Sequence, residues 1–171
     1  MNLVLIGYRC AGKTVTGRLL AKRLKRPFVD TDAWVVREAG APVSEIVRKE
    51  GWDRFRDLES RVIRIVSARD GLVISTGGGA VLREENVRSL QANGWLVWLR
   101  AGEETLKRRM RSDVRNADQR PVFEGEAPSE DVAGPLRERA SLYRKAGDFH
   151  VDTDRVTPFE TTNHILRFMP K

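Results

Sequence analysis

The sequence predicts a three-layer α/β fold: a five-stranded parallel sheet flanked on both sides by helices. Three observations carry this. Short apolar runs alternate with helical stretches along the chain, the pattern of strands buried on both faces and joined by crossover helices. The first run opens directly into Gly7-Tyr8-Arg9-Cys10-Ala11-Gly12-Lys13-Thr14, a G-x-x-x-x-G-K-[ST] loop between a strand and a helix. The 171 residues fit one domain with one core, and no repeat, low-complexity segment or long linker divides them.

Each element follows from local signals. Asn2–Ile6 is an apolar run that ends at a glycine and reads as a buried strand. Residues 13–25 place Val15, Leu19, Leu20 and Leu24 at helical spacing until Pro27. Phe28-Val29 is a short second strand leading into Asp30-Thr31-Asp32. Helices are expected over 33–38, 43–50 and 53–69; the last carries Phe55, Leu58, Val62, Ile65 and Val66 on one side, and Gly71 breaks it. Residues 72–75 form the third strand and run into Gly77-Gly78-Gly79. A helix over 84–93, a strand over 95–99 and a helix over 103–110 come next. Residues 111–127 are polar and charged with little periodicity, and read as a mobile loop. Residues 129–146 are helical in part, with Gly134-Pro135 interrupting their start. Phe149–Asp152 is the fifth strand, and 159–168 a closing helix.

Composition excludes several classes. Forty per cent hydrophobic and 32% charged residues describe a folded chain. No apolar run approaches the ~20 residues of a membrane span. The N-terminal run is too short for a signal peptide, so a cytoplasmic protein without a membrane partner is expected. Cys10 is the only cysteine, so no intrachain disulfide can form. The net charge of +7 fits either a nucleic-acid partner or small polyanionic ligands. The arginines are dispersed, and the stretch 100–120 is interleaved with Glu103, Glu104, Asp113 and Asp118. Trp34, Trp52, Trp95 and Trp98 fall in helix and strand patterns that bury them, leaving no aromatic platform for bases. A protein that binds no nucleic acid is expected.

The glycine-framed loop is a phosphate site. Its backbone N–H groups and the following helix dipole attract an anion, and its glycines let the backbone approach. Lys13 reaches the β- and γ-phosphates of ATP, and the Thr14 hydroxyl takes one position on Mg²⁺. Cys10, Ala11, Gly12, Lys13, Thr14 and Val15 are the expected nucleotide contacts. Asp30 and Asp32, two apart on an extended segment, point to the same side. Asp30 is assigned to the metal and Asp32 to the proton of an acceptor hydroxyl, although either could instead cap the helix at Ala33. The third strand ends without the Walker B aspartate, which points away from switch GTPases and motors and toward a small-molecule kinase.

With these motifs in hand, the chain resembles the shikimate kinases over nearly its full length. The resemblance rests on the phosphate loop, Asp30-Thr31-Asp32, Phe55-Arg56-Asp57-Leu58-Glu59, Gly77-Gly78-Gly79, Arg120-Pro121, and Arg139 followed by Leu142-Tyr143. It implies a P-loop NTPase fold similar to the nucleoside monophosphate kinases, with 33–60 as the acceptor-binding helices and 111–127 as the lid of a single domain. It implies transfer of the ATP γ-phosphoryl group to the 3-hydroxyl of shikimate, in the pathway to aromatic amino acids, by a monomer using Mg²⁺. Lys13, Asp32 and Arg120 would be catalytic. Asp32, Arg56, Gly77, Gly78, Gly79 and Arg139 would hold shikimate, its carboxylate clamped by Arg56 and Arg139 with Glu59 holding Arg56. Arg120 would close over the ATP phosphates, and Val151-Asp152-Thr153 would lie near the adenine. An arginine fork suits a carboxylate. On the residues alone, however, Arg56 also reads as a helix pair with Glu59, Arg120 as a loop charge and Arg139 as a surface arginine. Another small P-loop kinase, for gluconate or a nucleoside monophosphate, and an impaired nucleotide-binding module are the alternatives. Two positions depart from the family pattern. Cys10 stands where a glycine is usual, and Val15 where a hydroxyl is more common.

Overall fold

The computed structural model describes residues 1–112 and 132–170. Five strands, β1 (Asn2–Ile6), β2 (Phe28–Asp30), β3 (Val73–Ser75), β4 (Gly94–Arg100) and β5 (Phe149–Asp152), form one parallel sheet in the order β2-β3-β1-β4-β5. All five residues of β1 are buried. Successive side chains of a strand point to opposite faces, so both faces of the sheet's centre are covered. All five residues of the apolar run in β4, Trp95 to Leu99, are likewise buried. The expected three-layer architecture is the one observed.

The helices are α1 (Lys13–Leu24), α2 (Thr31–Ala39), α3 (Val43–Ser67), α4 (Glu84–Ala92), α5 (Glu103–Ser112), α6 (Ala133–Ala146) and α7 (Pro158–Phe168). α1 packs on α7 and β3, whereas α3 packs on α2 and α4. α3 is continuous in outline but broken at Gly51, whose φ of 83° and ψ of 172° are not helical; the two helices read from the sequence are its two halves. Pro135 does not interrupt α6. It sits in the first turn, where a missing N–H leaves no helical bond unmade. α7 begins one residue earlier than expected because Thr157 and Glu160 form a reciprocal capping box, with Pro158 at the first helical position.

The segment Asp30-Thr31-Asp32 differs from expectation. β2 stops at Asp30, and Thr31 already opens α2. The Asp30 carboxylate accepts from the Ala33 N–H at 3.2 Å, which satisfies an otherwise orphaned donor and starts the helix there. Asp32 therefore stands in the first helical turn and not on an extended strand. Trp95 and Trp98 are buried as expected, whereas Trp34 and Trp52 are only half-buried. No helix among the described residues is long and apolar enough to cross a membrane.

Candidate active site

β1 delivers the chain into the phosphate loop at Gly7. Here φ is +142°, and a Cβ would sit 2.5 Å from the Leu99 carbonyl oxygen, so only glycine fits. Gly12, at φ +98°, precedes α1 without a side-chain cap. The first N–H groups of α1 are left for an anion. Lys13 is buried, and its Nζ donates to the carbonyls of Gly7 at 2.8 Å and Tyr8 at 2.7 Å. Cys10 adopts φ +59°, the left-handed conformation that glycine would take without cost.

A cavity of about 630 Å³ opens over this loop. Cys10, Ala11, Gly12, Lys13, Thr14 and Val15, the expected nucleotide contacts, all line it, together with Asp30 and Asp32. Thr14 Oγ1 donates to Asp30 Oδ2 at 2.8 Å. The pair expected at a magnesium ion thus converges on one point. Among the described residues no group of three or more metal-ligating side chains exists. That sparse set suits Mg²⁺, which keeps most of its shell as water and phosphate oxygens.

The far wall of the cavity comes from Arg109 on α5 and from Thr153, Val156, Pro158 and Thr161. Thr153, expected near the adenine, is buried, and its hydroxyl donates to the carbonyls of Ala11 at 3.4 Å and Arg100 at 3.1 Å. Arg109 donates to the Cys10 carbonyl at 3.3 Å and to Thr153 Oγ1 at 3.1 Å. Burial lowers the pKa of this guanidinium from its usual value. Sequence reasoning missed Arg109, because nothing in the arginine-rich stretch sets it apart from Arg108 or Arg111.

Behind Asp32 lies a second, more enclosed cluster. Arg56, in the second half of α3, pairs with Glu59 at 2.6 Å, and both side chains are buried. Burial is the main cause that raises the Glu59 carboxyl above its ordinary range; Arg56 opposes it and Asp32 adds to it. Glu59 Oε1 has no hydrogen-bond partner among the described residues. Gly77 and Gly79 fit against this cluster with no room for side chains, and Gly78 fits against the phosphate loop. A Cβ on Gly77 would strike Asp32 and lie 2.6 Å from Glu59 Oε1; one on Gly79 would strike the Arg56 guanidinium; one on Gly78 would lie 3.2 Å from the Arg9 backbone nitrogen. A side chain on Gly77 or Gly79 would therefore collide with the carboxylates or the guanidinium of this cluster. Thr31 Oγ1, unassigned from sequence, accepts from the Gly77 N–H at 3.1 Å and fixes the turn.

α6 supplies Arg139, which is buried with its guanidinium 5.4 Å from the Tyr8 ring centre. One turn later, Tyr143 donates to the Gly78 carbonyl. Burial pushes the Tyr143 phenol far up, and Arg139 and Arg56 both offset part of that rise. Arg139 is thus no surface arginine, and its charge and that of Arg56 both act on the Tyr143 phenol. The cavity over the phosphate loop includes Asp32 but not Arg56, Arg139 or the three glycines; Asp32 is the residue common to both regions. Arg120 and most of the expected lid lie outside the described residues.

The family model described as shikimate kinase matches residues 9–170. The chain belongs to the shikimate kinase family. A shikimate kinase of Syntrophus aciditrophicus (strain SB) is 40% identical, covering 97% of this chain and 89% of that relative. One from Thermodesulfovibrio yellowstonii is also 40% identical, over 97% and 93% of the two chains. Among solved structures, a shikimate kinase from Acinetobacter baumannii in complex with shikimate superposes with a TM-score of 0.90 at 33% identity, covering 98% of this chain and 92% of that one.

Proposed function

We propose that the protein transfers the γ-phosphoryl group of ATP to the 3-hydroxyl of shikimate, giving shikimate 3-phosphate and ADP. The observation that carries this is the position of Asp32, on the wall of the phosphate-loop cavity and against Gly77 beside the buried Arg56–Glu59 pair. A carboxylate there can meet an acceptor hydroxyl on one side and a phosphoryl donor on the other. Two buried arginines near the same glycine turn suit an acceptor that carries a carboxylate.

In this scheme the loop N–H groups and Lys13 hold the ATP phosphates. Lys13 exchanges its bonds to the Gly7 and Tyr8 carbonyls for phosphate oxygens. Thr14 and Asp30 would hold Mg²⁺, which when bound neutralises charge on the phosphates. Arg56 and Arg139 fix the shikimate carboxylate, and Asp32 orients the 3-hydroxyl and accepts its proton as the oxygen attacks phosphorus. Transfer passes through a loose transition state, so positioning and charge neutralisation supply most of the rate. Exclusion of water from the closed site would limit wasteful hydrolysis.

Calorimetry with shikimate, followed by a coupled assay for ADP release with shikimate, gluconate and nucleoside monophosphates as acceptors, tests this. Saturable turnover with shikimate and little with the others is expected. Preference for gluconate or a nucleotide would refute it.

A further inference from the structure

Tyr143 has no part in the chemistry described so far, yet its surroundings are unusually constrained. Its side chain is fully buried and stacks on Trp98 with ring centres 5.8 Å apart and planes 25° from parallel. Its hydroxyl donates to the carbonyl of Gly78, the middle residue of the triple-glycine turn. The opposite side of Gly78 is pressed against the phosphate loop, with the Arg9 backbone nitrogen and the Gly7 carbonyl oxygen 3.2 and 3.7 Å from where a Cβ would stand. Gly78 is therefore held between a phenol on α6 and the backbone that cradles the ATP phosphates.

The hydrogen bond has a geometric consequence. In a trans peptide the C=O and the next N–H point in opposite directions. Fixing the Gly78 carbonyl on the phenol also fixes the Gly79 N–H, and Gly79 is the residue whose Cα lies against the Arg56 guanidinium. Arg139 and Tyr143 are four residues apart on α6, hence on one face. A single helix face thus presents an acceptor-binding arginine and the group that grips the acceptor-side turn.

From this we infer that Tyr143 is a positioning residue for phosphoryl transfer: its phenol sets the Gly78–Gly79 peptide relative to the phosphate loop, and so aligns the acceptor with the donor. The inference rests on the acceptor reading given above. It predicts an asymmetric effect, since the phenol touches the acceptor-side turn and does not line the nucleotide cavity.

Tyr143→Phe removes one hydroxyl and keeps the stack on Trp98. The KM for shikimate is expected to rise about tenfold and kcat to fall severalfold, with the KM for ATP changed less than about twofold. A variant with both constants for shikimate unchanged overturns the inference. So does an equal loss for both substrates that tracks a lower melting point, which is what a merely structural role would give. A second arm needs no variant at position 143. The chain has two tyrosines, so 3-fluorotyrosine labelling gives two ¹⁹F resonances, assigned with Tyr8→Phe. The Tyr143 resonance should shift on adding shikimate and not on adding ADP; a resonance indifferent to shikimate, in protein that binds it, overturns the proposal. Wild-type protein that binds no shikimate overturns the acceptor reading itself, and this inference with it.

Discussion

Gly79→Ala tests the acceptor cluster with little interference from the backbone. Gly79 has φ −99° and ψ 3°, a conformation open to any residue, so alanine brings no backbone strain. It brings a methyl group that lands on the Arg56 guanidinium. Non-bonded contacts settle near 3.5–4.0 Å, so the guanidinium must retreat by roughly an ångström. It cannot do so freely, because it is buried and held to Glu59 at 2.6 Å. A hydrogen bond to a charged group contributes about 1.5–3 kcal/mol. Weakening this one should lower stability by about 2 kcal/mol, or roughly 4–8 °C in Tm for a chain of this size. A displaced Arg56 should lose a similar increment on the shikimate carboxylate, a rise in KM of roughly 10–100-fold. The KM for ATP should change less than about twofold, because neither residue lines the phosphate cavity. Thermal melts and the coupled ADP assay, with each substrate varied in turn, give these numbers. If KM rises for ATP as much as for shikimate, or if neither moves, the cluster is not an acceptor clamp.

Cys10→Gly should stabilise the protein. A non-glycine residue at φ +59° costs about 1–2 kcal/mol, offset by about 0.5–1 kcal/mol for the freedom glycine adds to the unfolded chain; Tm should rise by about 1–3 °C with ADP binding retained, and a lower Tm would count against the strain. Glu59→Gln should change the pH dependence of stability. The Glu59 pKa is raised in the fold, chiefly by burial, so its contribution is fully present below the unfolded value near 4.5 and is lost as pH rises through the folded one. The wild-type Tm minus the variant Tm should therefore be largest near about pH 4 and shrink toward neutrality, and a flat difference would contradict the assignment. In single-turnover experiments Lys13→Ala should slow the chemical step more than Asp32→Asn, since charge neutralisation outweighs base catalysis in a loose transition state; the reverse order would make Asp32 the dominant group.

The parts of the site legible in the sequence were those set by backbone demands or by contiguous chemistry. The phosphate loop announces itself because an anion cradle needs glycines, a lysine and a hydroxyl at fixed spacing. The split of α3 was visible because Gly51 weakens a helix wherever it stands. The start of α2 was misread because Asp30 can end a strand or cap a helix, and only the Ala33 N–H 3.2 Å away decides between them. Arg109, Thr31 and Tyr143 went without roles for a different reason. Their partners, the carbonyl of Cys10, the N–H of Gly77 and the carbonyl of Gly78, are backbone groups at least 46 residues away in sequence. Backbone atoms leave no letter in the sequence to pair with.

The interlock of Arg56, Glu59 and Gly79 bears on how descendants of such an enzyme can be judged. Replacing any one of the three costs stability, because each is packed against another in the interior. A lineage that abandoned phosphorylation would still gain stability by keeping them. Their survival in a distant homologue is thus poor testimony that its activity persists. Asp32, half-buried on a cavity wall, is less constrained by packing, and its loss or retention is the better witness.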